Sequence, residues 1–232
     1  MRIVTPAEIA SVAWEGELIP PPTFKSPVPP KRPVATIGQP EIWPAAEALE
    51  TKVGKKWTPP LGAASYWLLR LACTLHDPAG HPSVTEARQT LYLRPRYAGA
   101  GERAVYAHSL FPDRLTVEDK AEFSASLGPE LKFVSGFGVK AGEIGATVEY
   151  RKVFPVIQSY GTGEPAPYWV FRSHAAHPLD GSQFVYAVVA ARAGAGGVRG
   201  TVELTATVET QFGPVRYGLP ETAHTNVGFT IP

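Results

Sequence analysis

The sequence contains almost no cysteine and no long hydrophobic run. Cys73 is the single cysteine among 232 residues, so no disulfide can form within the chain, which suits a reducing compartment. The longest strongly apolar run, residues 66–69, is far shorter than the roughly 20 residues of a membrane-spanning helix. Residues 1–14 carry Glu8 and no continuous apolar stretch, so we expect no signal peptide. These absences predict a soluble, cytoplasmic protein with no membrane partner.

An excess of charge of either sign is also missing. The chain has 22 basic and 21 acidic residues, which gives a formal net charge of +1. Such a balance produces no long-range field that would attract nucleic acid or an anionic membrane. The basic residues are scattered along the chain rather than collected in one run. We therefore expect no nucleic-acid partner.

Motifs of the common catalytic and cofactor sites are absent. The sequence has no GxxxxGK[ST] phosphate loop, no GxSxG nucleophile motif, no HExxH, no paired CxxC and no EF-hand loop. The glycines at 136, 138 and 142 miss the GxGxxG spacing by one residue, and strands rather than a helix are predicted around them. These observations predict no cofactor and no metal, and they favour a non-enzymatic function.

Proline is abundant and unevenly placed. Half of the 24 prolines lie in the first 60 residues, and they predict an irregular, extended segment over residues 18–43. Thr5-Pro6-Ala7-Glu8 is typical of a helix start, with Gly16 as its end, although a strand is the alternative there. A second short helix is predicted over residues 44–53. We interpret residues 1–60 as a Pro-rich N-terminal arm whose apolar side chains pack on its own domain or on a partner.

Alternation of apolar and polar residues begins near residue 62 and predicts an all-β domain over residues 61–232. Turn signals separate roughly eight to ten strands, a pattern typical of an antiparallel β-sandwich or a barrel-like domain. The strand at 183–192 is apolar on both faces and is expected to be central. Residues 115–127 alternate cleanly, with a helix as the rival interpretation. The predicted strands are 66–76, 84–94, 103–111, 115–127, 130–139, 143–154, 167–173, 183–192, 201–212 and 227–231, with a turn at Gly213-Pro214.

Histidine and aspartate residues bracket two predicted turns. If the turns meet at one end of the sheets, they form a polar loop cluster that suits metal binding or acid/base chemistry. The alternative, which we favour, is that these residues simply occupy solvated loops. The candidates are His76, Asp77, His81, His174, His177 and Asp180. Elsewhere, Cys73 is expected to be a buried, inert thiol and His108 a satisfied histidine of a sheet, alternating with Tyr106 and Leu110.

An aromatic segment surrounds the predicted loop at 161–167. Tyr160, Tyr168 and Trp169 are candidates for a surface that binds a peptide, a glycan or a base by stacking. The alternative is that Trp169 and Phe171 belong to the core, which the alternation favours.

These patterns lead to one main functional hypothesis and three alternatives. The main hypothesis is a non-enzymatic structural or interaction module, a subunit that docks on a protein partner or on another copy through its arm or its sheet edges. One alternative is a small-ligand-binding β-sandwich or barrel. The others are a membrane-active β protein using the long stretches 115–127 and 201–212, and a hydrolase using the His/Asp loops.

Overall fold

The computed structural model describes residues 2–3, 11–22, 31–51, 54–60, 62–76, 83–116, 131–132, 155–175, 178–179, 181–210 and 213–232. Strands dominate these residues, and the α-helix among them, α1 (Ala45–Ala48), is a single turn. No helix in the described part of the chain has the length and apolarity that crossing a bilayer requires. The strands are β1 (Arg2–Ile3), β2 (Val12–Glu17), β3 (Val34–Gly38), β4 (Glu41–Pro44), β5 (Leu49–Glu50), β6 (Ala64–His76), β7 (Val84–Pro95), β8 (Val105–Phe111), β9 (Arg114–Thr116), β10 (Leu131–Lys132), β11 (Pro155–Tyr160), β12 (Tyr168–Arg172), β13 (Gly181–Arg192), β14 (Val198–Thr210), β15 (Gly213–Gly218) and β16 (Gly228–Ile231).

Two large antiparallel sheets carry the fold. The seven-stranded sheet has the order β15-β14-β7-β12-β11-β9, with β16 also paired to β14. The six-stranded sheet has the order β2-β3-β6-β13-β8, with β4 also paired to β6. A small sheet, β10-β1-β5, adds three very short strands. The prediction of a mostly β protein with antiparallel strands is confirmed.

Residues of both large sheets share one hydrophobic core. The alternation of β14 places Val202, Leu204 and Ala206 on the buried side, and alternation in β12 does the same for Trp169 and Phe171. The buried side of β6 joins them in the same cluster. Burying a large apolar side chain such as Leu204 or Phe171 contributes about 1.5–3 kcal/mol. Because alternation places such side chains on one side of each strand, burying that side brings the two sheets together on one core.

Backbone hydrogen bonds also link the two large sheets at both sides. The loop at 161–167 bonds β8, with Gly163 N donating to Ala107 O at 2.7 Å, and it bonds β7, with Leu91 N donating to Pro167 O at 2.9 Å. At the other side, Ile19 and Gly218 exchange two hydrogen bonds of 2.8 Å. The first link depends on glycine, because Gly163 has a φ of +86°, a conformation that L side chains rarely adopt.

The strand β13 lies between β6 and β8, and both of its faces are buried. Its inner side chains, such as Val185 and Val189, belong to the shared core. Its outer side chains, such as Tyr186 and Val188, pack in a second cluster with Ala45, Ala48 and Leu49. The prediction of a central strand covered on both sides is confirmed, and the segment from β4 to β5 provides the cover.

The N-terminal predictions are partly wrong. Residues 34–38 and 41–44 form strands that pair with β6, so this part of the predicted arm belongs to the six-stranded sheet. The first predicted helix is a strand over its last part, because β2 pairs with β3. The second predicted helix is limited to α1, because the backbone of Leu49 is extended and this residue pairs with Ile3. Strand pairing outweighs helix propensity at both places. The division of the chain at residue 60 stays a prediction.

Seven of the sixteen described strands match predicted ones, namely β6, β7, β8, β12, β13, β14 and β16. Within the predicted all-β domain two strands were missed, β11 and β15. The predicted turn at Gly213-Pro214 is wrong, because these residues begin β15 and pair with Thr210 and Glu209. The predicted strand at 143–154 lies outside the described residues, as do nearly all of 115–127 and 130–139.

Candidate functional site

One end of the two large sheets brings two of the predicted histidines to a common cavity. The strand β6 ends at His76 and β7 begins at Val84, while β12 ends at Arg172 and β13 begins at Gly181. Because β6 pairs with β13 and β7 with β12, both antiparallel, the two connections lie at the same end. A cavity of about 370 Å³ opens there. Its lining comprises His76, Ser83, Val84, Thr85, Ser173, His174, Ala175, Pro178 and Leu179.

We call this space the histidine cavity, and its polar groups are two imidazoles and three hydroxyls. His76 Nε2 lies 2.7 Å from Thr36 Oγ1 in a hydrogen bond that fixes the ring against β3. Thr85 Oγ1 donates to the carbonyl of Thr207 at 3.1 Å. Such a set of groups suits hydrogen bonding to a small polar molecule.

The other members of the predicted polar loop cluster, Asp77, His81, His177 and Asp180, lie outside the described residues. Within the described part of the chain, no three His, Cys, Asp or Glu side chains come together as a metal site would require. The structure thus places His76 and His174 on one cavity, and the role of the cluster stays a prediction.

The second predicted site divides between the outside and the inside of the seven-stranded sheet. Tyr160 and Tyr168 are register partners on the outer face, and their rings stack with centroids 4.9 Å apart at 19°. On the next strand, the Arg88 guanidinium lies 3.6 Å from the centroid of the Tyr168 ring. We call these three residues the tyrosine row. The row runs across β11, β12 and β7, and Tyr168 is its middle member.

Trp169 does not belong to this surface, because its side chain is fully buried in the shared core. The alternative interpretation, that Trp169 and Phe171 are core residues, describes their positions correctly. Trp169 pairs with Gln89, and the side chains of both are buried with no hydrogen-bond partner for Trp169 Nε1 or for the Gln89 amide. These buried polar atoms therefore lower the stability of the fold, since an unsatisfied buried polar group costs about 1–3 kcal/mol.

Arginines are the functional candidates that sequence reasoning missed. The outer face of the seven-stranded sheet, which we call the arginine face, is identified by register with Tyr160, Tyr168 and Arg88. Its described charged residues are the six arginines Arg88, Arg94, Arg114, Arg172, Arg199 and Arg216 and the three glutamates Glu86, Glu203 and Glu209. Only Arg88, Arg94 and Arg172 lie on predicted strands. The other three lie outside them, so the sequence did not indicate that the six arginines share one face.

Two of the glutamates on the arginine face have partners within it. Glu86 Oε2 lies 3.3 Å from Arg172 Nε, and Glu203 Oε2 accepts a hydrogen bond of 2.8 Å from the Tyr92 hydroxyl. That hydrogen bond raises the pKa of Tyr92, and burial adds to the effect. The remaining arginines, Arg88, Arg94, Arg114, Arg199 and Arg216, have no ion pair with any described carboxylate.

The outer face of the six-stranded sheet is aromatic and largely covered. His108 packs edge-on against Tyr66, with centroids 5.5 Å apart, and against Trp57 at 6.1 Å. Its Nδ1 lies 2.8 Å from Ser109 Oγ, and burial lowers the pKa of the imidazole. The prediction that His108 and Leu110 lie on the same face of the strand is wrong. His108 has no partner in the pairing of β8 with β13, as in a β-bulge, and Leu110 therefore faces the shared core.

Cys73 lies in the shared core and is buried, as predicted. Desolvation raises the pKa of its thiol to about 12, so the reactive thiolate is not formed near neutral pH. The thiol therefore contributes packing rather than chemistry.

Neither a scan of protein-family models nor a search of curated proteins finds a match to this chain. The class that the fold defines is an antiparallel β protein with two large sheets on one core. Function is consequently argued from the geometry of its surfaces and cavities.

Proposed function

We propose that the protein is a non-enzymatic interaction module in which the two large sheets form a β-sandwich. Its outer seven-stranded face, rather than a catalytic pocket, binds a protein partner. The observation that carries the proposal is the tyrosine row, in which two stacked rings and a guanidinium, all partly exposed, lie on the outer face of one sheet. Tyrosine and arginine are enriched among the residues that dominate binding energy at protein interfaces.

The tyrosine row is suited to binding because its side chains are already held in place. Each ring has few rotatable bonds, and the stacking of Tyr160 on Tyr168 removes much of the freedom that remains. Ordering a flexible side chain at an interface costs about 0.5–1.5 kcal/mol, and a pre-stacked row avoids most of that cost.

Docking through the N-terminal arm or a sheet edge remains part of the proposal. The strand β2 lies at one end of the order of the six-stranded sheet, and Val12 in it is 61% exposed. An exposed apolar residue on an end strand is a feature that a partner strand can cover. Truncation at residue 60 is a poor test, because it would remove β3 and β4 from their pairing with β6.

A photo-crosslinking residue, p-benzoylphenylalanine, placed at position 160 tests the proposal in the cells that make the protein. The matched control is the same residue at Tyr97, which is 63% exposed and lies beyond the end of β7, outside the strands of the arginine face. We expect a discrete adduct, with a partner or with a second copy, from position 160 and none from position 97. Equal labelling at the two positions, or no adduct at 160, would contradict the proposal.

A second candidate function, binding of a small polar ligand, is favoured by the shared lining of the histidine cavity. A volume of about 370 Å³ is enough for a small molecule, and two imidazoles and three hydroxyls line it. Native mass spectrometry of the protein purified under mild conditions tests this function. Ligand binding is supported if the wild-type protein retains extra mass that His76→Ala and His174→Ala lose and the exposed control His224→Ala keeps. It is contradicted if every protein has only the mass of the chain.

The remaining alternatives receive less support. A hydrolase would need a nucleophile activated by a base, and the lining of the histidine cavity supplies only the residue types for such a pair, hydroxyls and imidazoles. The membrane-active hypothesis used residues 201–212, but β14 buries its apolar side in the shared core. We retain the cytoplasm as the proposed location.

A further inference from the structure

The charge of the arginine face differs from that of the whole chain. Six arginines against three glutamates give the described part of this face a formal charge of +3, while the entire chain carries +1. Five of the arginines have no carboxylate partner among the described residues. A face with unpaired guanidinium groups attracts anions, and a guanidinium binds a carboxylate through two parallel hydrogen bonds.

Two of these arginines stand directly opposite one another. Arg94 on β7 and Arg199 on β14 are register partners, and both are exposed. Like charges directly opposite one another in a sheet are destabilising, so the pair does not serve the stability of the free protein. A bound anion between the two guanidinium groups would relieve the repulsion.

The geometry of Tyr168 favours an acidic polypeptide over a nucleic acid. Tyr160 stacks on the Tyr168 ring from one neighbouring strand, and Arg88 covers it from the other neighbouring strand. Single-stranded nucleic acids bind such faces by stacking bases on open aromatic rings. Because both sides of the Tyr168 ring are occupied, the centre of the row offers guanidinium and ring edges rather than a stacking platform.

We propose that the partner of the arginine face is an extended acidic segment of a polypeptide, whose carboxylates bind Arg88, Arg94 and Arg199. Arg88 and Arg94 are six residues apart on the same side of β7, a distance of about 20 Å at roughly 3.3 Å per residue. A segment of about six residues therefore spans from the tyrosine row to the opposed pair. This inference rests on the proposed function, because it names the chemistry of the partner that the module binds.

The test measures the fluorescence anisotropy of a fluorescein-labelled peptide of alternating glutamate and glycine, titrated with the full chain at low salt. The comparison probes are the same peptide with glutamine in place of glutamate and an oligothymidylate of similar length. We expect the glutamate peptide alone to bind with a clear plateau, and its affinity to fall with added salt. The double variant Arg94→Gln/Arg199→Gln should bind the peptide about tenfold more weakly, because it removes two exposed ion pairs with the peptide.

A charge-matched control separates a specific face from general attraction. Arg103→Gln/Arg192→Gln removes the same charge from two exposed arginines at another cavity, which is lined by residues 97, 99–101, 103–104 and 192–194. Unchanged binding in this control supports the inference. Equal weakening in both double variants, binding of the glutamine peptide, or tighter binding of the oligothymidylate would overturn it. If crosslinking at position 160 succeeds and the glutamate peptide fails to bind, the module binds a partner of other chemistry, and only this inference fails.

Discussion

The outer faces of the two large sheets each place an arginine over an aromatic ring, and the two arginines differ in their other partners. On the covered face, the Arg70 guanidinium lies 5.3 Å from the Trp43 ring and also binds both carboxylate oxygens of Glu41. On the open face, Arg88 lies over Tyr168 with no described carboxylate beside it. Glu41 supplies a carboxylate to the arginine on the covered face, whereas no carboxylate among the described residues pairs with Arg88 on the open face. This difference is why we assign stability to the first arginine and binding to the second.

The largest expected effect is loss of the acid on the covered face. Arg70 is 6% exposed, and replacing Glu41 by alanine removes the carboxylate that balances its buried charge, while Tyr186 remains beside it. We expect Glu41→Ala to lower the free energy of unfolding by about 2–3 kcal/mol, somewhat below the 3–5 kcal/mol of a fully buried pair because Glu41 is partly exposed. Denaturant unfolding measures the change.

The control for this variant is Glu203→Ala on the open face, where Glu203 accepts one hydrogen bond from Tyr92. It should cost less than about 1 kcal/mol. Equal losses in the two variants would remove the distinction between the faces.

A smaller effect is expected from the pairing of Arg88 with Tyr168. A double-mutant cycle with Arg88→Gln and Tyr168→Leu should give a coupling energy of about 0.5–1 kcal/mol, typical of a cation above an aromatic ring at a partly exposed site. Unfolding of the four proteins in denaturant provides the numbers. A coupling energy of zero would show that the row is not pre-organised by this contact.

The covered face should also respond to pH through His108. Burial depresses the pKa of this imidazole in the folded protein below its unfolded value of about 6.5, so the unfolded chain binds the proton more tightly. The contribution of neutral His108 to stability is therefore present above that value and is lost as the pH falls below it. The denaturation midpoint of wild-type protein should drop more between about pH 8 and about pH 5.5 than that of His108→Gln. Parallel curves for the two proteins would exclude His108 as the source.

The smallest expected effect has the opposite sign. Arg199→Thr removes one charge from the opposed pair on the open face, and threonine suits an exposed strand position. We expect the free energy of unfolding to rise by about 0.3 kcal/mol while binding of the glutamate peptide weakens. A thermal melt in low salt detects the first change, and a loss of stability would show that Arg199 has a structural role.

Alternation predicted the architecture better than any other property of the sequence. It found β6, β7, β13 and β14, and the two-sided apolar character of β13 correctly predicted its central place. It missed β15, because Gly213 and Pro214 are typical of a turn, yet Gly213 with a φ of +100° starts the strand. It also could not anticipate the extra residue at His108, since a bulge shifts the phase of the pattern without leaving a signal in composition.

The candidate surfaces were predictable only in part. Tyr160 and Tyr168 could be selected because aromatic residues are concentrated around one predicted loop, although the strand that carries Tyr160 was missed. His76 and His174 were expected to lie close together only if the two predicted turns that contain them lie at the same end of the sheets. The arginine face could not be predicted, because Arg94 and Arg199 are opposed by a strand register between residues more than a hundred positions apart.

The hydrogen-bonded link between Ile19 and Gly218 has a consequence for biosynthesis. It joins two residues that are far apart in sequence, and β14 must also emerge before β7 has its neighbour on that side. Contacts this distant in sequence form slowly, and strands waiting for them are exposed to pairing with other chains. We therefore expect the two large sheets to close on their core only after β14 and β15 have left the ribosome, and the nascent chain to depend on chaperones until then.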